Sequence, residues 1–133
     1  MGVAIMSEIK WELIEGEFLF GTSLRGKIMT TYDTLVKIFG EPNIRPGDKT
    51  WNEWGIQFEY GDAEDDDNEI ANVAIYDWKE VSAEDSKVGK YLWHIGAKTH
   101  FGVEMVYAAV GQEILDRPVA DKSVDEKLFA VRQ

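Results

Sequence analysis

Apolar Ile9, Trp11 and Leu13 alternate with polar Glu8, Lys10 and Glu12, a period of two that predicts an extended segment with one apolar face. Gly16 interrupts the pattern, and Glu17 to Phe20 reads as a strand ending at Gly21. Tyr32, Leu35, Ile38 and Phe39 then recur at helical spacing. A threonine at 30 or 31 supplies the N-cap of this short helix, Gly40 its positive-φ end and Pro42 its stop. Residues 43–50 are a turn-rich connection. Trp54, Ile56, Phe58 and Tyr60 alternate with Gly55, Gln57 and Glu59, a half-buried strand, and Ile70 to Trp78 is a second, rich in β-branched and aromatic residues. Paired as a hairpin, the two leave the acidic run between them at the tip.

Tyr91 to Gly96 is a further short strand after a polar stretch. Val103, Val106, Tyr107, Val110 and Ile114 form the stripe of a longer helix, capped by Thr99 and ended by Arg117-Pro118. Gly102 and Gly111 each weaken that helix, which points to close packing on the sheet. Ser123 and Glu126 have capping-box spacing and predict a last short helix. The expected order is β-α-β-β-β-α: an α+β fold, a small antiparallel sheet with two or three helices on one face. Residues 1–133 form a single domain, with 1–15 and 116–133 as peripheral extensions.

Charge changes this picture most. Twenty-five acids against fourteen bases give a net charge of −11. Such a chain is repelled by nucleic acid and anionic membranes and attracted to basic protein surfaces. Asp62, Glu64, Asp65, Asp66, Asp67 and Glu69 concentrate the excess in one predicted loop. No apolar run is long enough to span a membrane, and Val3 to Met6 lacks the basic flank of a targeting segment. The absence of cysteine excludes disulfides and fits a reducing cytoplasm.

Two motifs imitate known chemistry. Gly21 and Gly26-Lys27 have the spacing of a phosphate-binding loop, but Ile28 stands where a magnesium-binding hydroxyl belongs, and the helical pattern starts only near Tyr32. A turn or bulge around the two glycines is the simpler reading. The acidic run resembles a calcium loop at its first positions but has Asp67 in place of the turn glycine and Val73 in place of the bidentate glutamate. Ser23, His94 and Asp77 could be written as a triad, yet no nucleophile elbow accompanies them. The expectation is therefore no catalytic residue, no metal and no cofactor. Trp51, Trp54, Trp78 and Trp93 read mainly as core, with Trp78 and Trp93 the better candidates for a rim. Tyr91, Trp93 and Ile95 should share one face of their strand, and Leu92 and His94 the other. Arg25, Lys27, Lys79 and Lys98 are the bases available to such a site.

GTSLRG (21–26), TTYDTLVKIFGEP (30–42), WGIQFEY (54–60), VAIYDWK (73–79) and WHIGA (93–97) together resemble a set of small proteins encoded by bacteriophages and sometimes by bacteria. The acidic insertion and Ala97 depart from that pattern. The resemblance implies an accessory protein that acts by binding, as inhibitors of host defence do. On this reading, carboxylates 62–69 engage the basic surface of a host defence or nucleic-acid-processing protein. The alternative is a sponge for a nucleotide-like immune signal, its pocket built from Thr22, Ser23, Arg25, Trp78, Trp93 and His94 at a possible homo-oligomer interface.

Overall fold

A computed structural model describes residues 8–61 and 68–115. Five strands make one antiparallel sheet: β1 (Glu8–Leu13), β2 (Ser23–Thr31), β3 (Glu53–Gly61), β4 (Glu69–Tyr76) and β5 (Lys90–Ala97), in the spatial order β1-β3-β4-β5-β2. Two α-helices, α1 (Tyr32–Phe39) and α2 (His100–Leu115), pack on one face. The α+β class and the antiparallel sheet are as expected. The order differs, because two strands precede α1 rather than one. The helix expected over 123–129 lies outside the described residues.

The helix-facing side chains follow the alternation read from sequence. Ile28, Trp54, Ile56, Phe58, Val73, Ile75, Trp93 and Ile95 are fully buried and lie beneath Leu35 and Phe39 of α1 and Val103, Val106 and Val110 of α2. Edge-to-face aromatic contacts run through the core: Trp11 meets Phe39 of α1 across the layers and Phe58 within the sheet, and Trp54 meets Trp93 within the sheet. Thr31 caps α1, its hydroxyl accepting from the Thr34 amide at 3.0 Å, and Gly40 leaves the helix at φ 93°. The stripe on α2 is buried from Val103 to Val110 as its spacing requires.

The segment 14–22 departs from the expected strand. Because β1 and β2 lie on opposite edges of the sheet, their connection must cross all three strands between them. It crosses the face opposite the helices as a strap, with a 3-10 turn at Gly16–Leu19 held by Phe18 N–H to Glu15 and Thr22 N–H to Leu19 carbonyls. The sheet makes room with small residues in register, Gly55, Ala74 and Gly96. A side chain at Gly55 would lie 2.9 Å from the Ile14 carbonyl and 3.2 Å from Leu19 Cδ1. Asn72 pins the strap by donating from Nδ2 to the Phe18 carbonyl at 3.2 Å.

Candidate functional site

Beyond the strap, the helix-free face carries a lateral row of polar side chains fixed by register. Glu53 pairs with Tyr76, Tyr76 with His94, and His94 with Lys27, so β3, β4, β5 and β2 each contribute one member to the same face. The Tyr76 and His94 rings meet edge to face at 5.4 Å. Trp78, just past the end of β4, stacks on His94 at 5.7 Å and stays 38% exposed. The ammonium groups of Lys49 and Lys79 each lie 5.8 Å from the Trp78 ring centre.

Three titratable members of the row are shifted. Burial, then the nearby Lys27 ammonium, pushes the His94 imidazole down, so it stays neutral at neutral pH. Burial raises the Glu53 carboxyl, against a hydrogen bond from Thr50, with Asp77 adding to the rise. Burial and then Glu53 raise the Tyr76 phenol. The row thus offers a reluctant acid, a phenol, a neutral imidazole and an ammonium, capped by a partly exposed indole.

Trp78 is set in place from beneath. Asp77 is wholly buried, and its Oδ1 accepts from the Trp51 amide at 2.7 Å and the Asn52 amide at 3.2 Å. Its Oδ2 accepts from Asn52 Nδ2 at 3.2 Å and the Ser86 hydroxyl at 2.8 Å. The Trp78 amide donates to the Tyr91 hydroxyl at 3.1 Å, and that hydroxyl donates to Glu80 at 2.6 Å. Burial, followed by the bond to Glu80, lifts the Tyr91 phenol to about 12. Lys79 closes the turn at φ 56°, its amide bonded to the Lys49 carbonyl at 2.8 Å. Two segments remote in sequence are thereby clamped around one exposed tryptophan.

Of the residues expected at a ligand site, Trp78 and His94 come together, with Lys27 and Lys79 beside them. Thr22 lies on the same face, its hydroxyl close to Gly96 and bonded to the Leu19 carbonyl at 2.8 Å. Trp93 does not belong to this site. In phase with Ile95 and Ala97, it points into the core, with its indole N–H on the Thr30 carbonyl at 3.1 Å. Ser23 pairs with Ala97 and so shares the helix side of the sheet. Arg25 occupies a β-bulge between Leu24 and Gly26 and donates to the Ala97 carbonyl at 3.4 Å. Gly26 and Lys27 therefore sit within a strand, and no helix begins at the lysine as a phosphate-binding loop would need. Asp77, with its oxygens taken by Trp51, Asn52 and Ser86, is engaged in scaffolding rather than in a triad with His94.

Asp62, Glu64, Asp65, Asp66 and Asp67 lie outside the described residues. Glu69, the last of the acidic set, is exposed at the start of β4 and pairs with Tyr60. Sequence reading missed Glu53, Tyr76 and Lys49 as members of the site. The alternation of Glu53 and Tyr76 against the buried positions placed them on the free face, but only the register sets them in line with His94. No helix among the described residues is long and apolar enough to cross a membrane.

Comparison with curated proteins and with solved structures finds no match. Residues 21–110, from the turn before β2 into the last buried turn of α2, match one family model, and the chain belongs to that family, a domain of unknown function designated DUF7738.

Proposed function

We propose that the chain is a non-catalytic binding protein, an accessory factor of the kind phages encode, that holds a flat, anionic, nucleotide-like ligand against the free face of its sheet. The observation that carries this reading is the Trp78–His94 stack, flanked by Lys49 and Lys79 in a protein of net charge −11. An indole stacked on His94, on a backbone held by a hydrogen-bonded scaffold, loses little side-chain freedom on binding, and the adjacent lysines attract an anion locally despite the overall charge. Sequestration of a nucleotide-like immune signal is the role that such a surface would serve. The test is a thermal-shift panel of cyclic and linear nucleotides, repeated with Trp78→Ala. Stabilisation of the native chain by one of them, lost in the variant, supports the reading; indifference to the whole panel rejects it.

A second reading rests on the six carboxylates in residues 62–69, five of them in the segment that joins β3 to β4 and the sixth, Glu69, at the start of β4. They would dock on a basic host protein and inhibit it. Replacing Asp65, Asp66 and Asp67 by Asn should then weaken capture of that partner and flatten its salt dependence. Capture unchanged in strength and in salt dependence rejects the carboxylates as the docking element.

A further inference from the structure

The two edges of the sheet are built differently. Edge strand β2 carries a bulge at Leu24/Gly26 and the like charges Arg25 and Lys27, devices that discourage pairing with another chain. Edge strand β1 has no bulge, and its charges alternate in sign, Glu8, Lys10 and Glu12; it is regular in its pairing with β3 from Glu8 to Leu13, and no other described strand covers its outer side. The Ile14 amide donates to the Gly55 carbonyl at 2.9 Å, so even-numbered residues of this segment turn their backbone groups toward β3. The backbone groups of Ile9, Trp11 and Leu13 therefore point outward along the open edge.

We propose that this edge pairs antiparallel with the β1 edge of a second copy of the chain, centred on Trp11, to make a continuous ten-stranded sheet. Only registers that bring outward-facing residues opposite one another are allowed, which leaves three close choices. Centring on Lys10 sets Lys10 against its own copy, and centring on Glu12 sets Glu12 against its own. Centring on Trp11 places Lys10 opposite Glu12 of the second copy twice, in the non-hydrogen-bonded positions where side chains approach most closely. The same register sets Ile9 opposite Leu13, which is 42% exposed, and Trp11 opposite Trp11 on the helix face. The charge pattern is thus self-complementary in one register and repulsive in the two beside it.

The twofold axis of this pairing is perpendicular to the sheet, so both copies present their helix-free faces on the same side. His94 lies level with Glu53, five residues along the strand from that axis, so the two His94 positions are seven strand spacings apart across the sheet and ten residues apart along it, about 48 Å in all. A dimer would display two Trp78–His94 surfaces to one partner.

Sedimentation equilibrium of the full chain tests the proposal. The expected result is a dimer that Lys10→Glu or Glu12→Lys alone weakens by about tenfold, and that the double exchange Lys10→Glu/Glu12→Lys restores. A purely structural role for these exposed side chains would give no restoration. Amide exchange on the native chain is independent of any variant: the Ile9, Trp11 and Leu13 amides should gain protection as protein concentration rises. A chain that stays monomeric, a dimer indifferent to both charge reversals, or exchange at these three amides that ignores concentration overturns the proposal.

Discussion

The His94 imidazole lies on the Trp78 indole with planes 27° from parallel, and Lys27 faces it across the β5–β2 ladder. Both burial and Lys27 favour the neutral ring. In the unfolded chain His94 takes up a proton near its ordinary value of 6.5, whereas the folded chain resists until a lower pH. Between those two values the unfolded state binds more protons, so stability falls as pH drops through this window. The urea midpoint of the native chain should therefore decline between neutral and mildly acidic pH by more than that of His94→Gln. Replacing Lys27 by Met should raise the His94 titration midpoint, measured by imidazole NMR shifts. An unmoved midpoint would show that Lys27 does not act on the ring.

Asp77 is the strongest single point of the scaffold under Trp78. Asp77→Ala would leave the buried Asn52 amide, the buried Ser86 hydroxyl and the part-buried Trp51 amide without their acceptor, while Asn52 Nδ2 keeps the Ala83 carbonyl. The expected loss is about 3 kcal/mol or more, since each buried donor left without its charged acceptor carries its own desolvation penalty. Ser86→Ala removes one hydroxyl, a donor to Asp77 and an acceptor from Asn52 Nδ2, which keeps other acceptors, and should cost only about 1 kcal/mol. Chemical denaturation of the two variants checks the ranking, and near-equal losses would show that the carboxylate is not the hub.

Two glycines in α2 should respond to the same substitution with opposite signs. A Cβ at Gly102 would come 2.7 Å from Val73 Cγ1 and 2.9 Å from Ala97 Cβ, because the helix presses directly on β4 and β5 there. At Gly111 no atom of the described residues, its own helix backbone aside, would lie within 4 Å of an added Cβ. Gly111→Ala is therefore expected to stabilise by about 0.5–1 kcal/mol through helix propensity alone. Gly102→Ala forces the helix off the sheet and should cost about 1–3 kcal/mol despite the same propensity gain. Thermal denaturation of both variants decides the matter, and stabilisation by Gly102→Ala would mean that the helix can lift without loss.

The elements written in a single period were legible from sequence: α1, β3, β4, β5 and the stripe of α2 follow from alternation or helical spacing. Phe18-Leu19-Phe20 misled because an apolar triplet looks the same in a strand as in a strap, and Phe20 in fact stands 87% exposed. Nothing local announces that β1 and β2 sit on opposite edges, and that separation alone forces the crossing. Trp78 and Trp93 both precede polar residues, yet parity with Ile95 sends Trp93 inward, a signal that was present in the alternation. The line Glu53–Tyr76–His94–Lys27 was not legible, because it depends on three ladder registers at once. The Asp77 hub joins residues 25 and 9 positions away, Asn52 and Ser86, with no pattern to announce it.

The strap yields a prediction with its own internal control. Gly55 and Gly96 both lie in the small-residue track, but the strap presses on them unequally. A methyl at Gly55 would meet the Ile14 carbonyl and Ile44 Cδ1, each at 2.9 Å, and a backbone oxygen cannot swing aside. At Gly96 the nearest atoms are Tyr76 Cε1 at 3.5 Å, the Ser23 carbonyl at 3.6 Å and the Thr22 hydroxyl at 3.7 Å, ordinary contact distances. Gly55→Ala should cost about 1–3 kcal/mol and loosen the strap, seen as faster exchange of the Ile14, Phe18 and Thr22 amides. Gly96→Ala should fold with near-native stability and leave those amides protected. If the two variants behave alike, the crossing does not bear on Gly55, and the connection between the sheet's edges must take another course over this face.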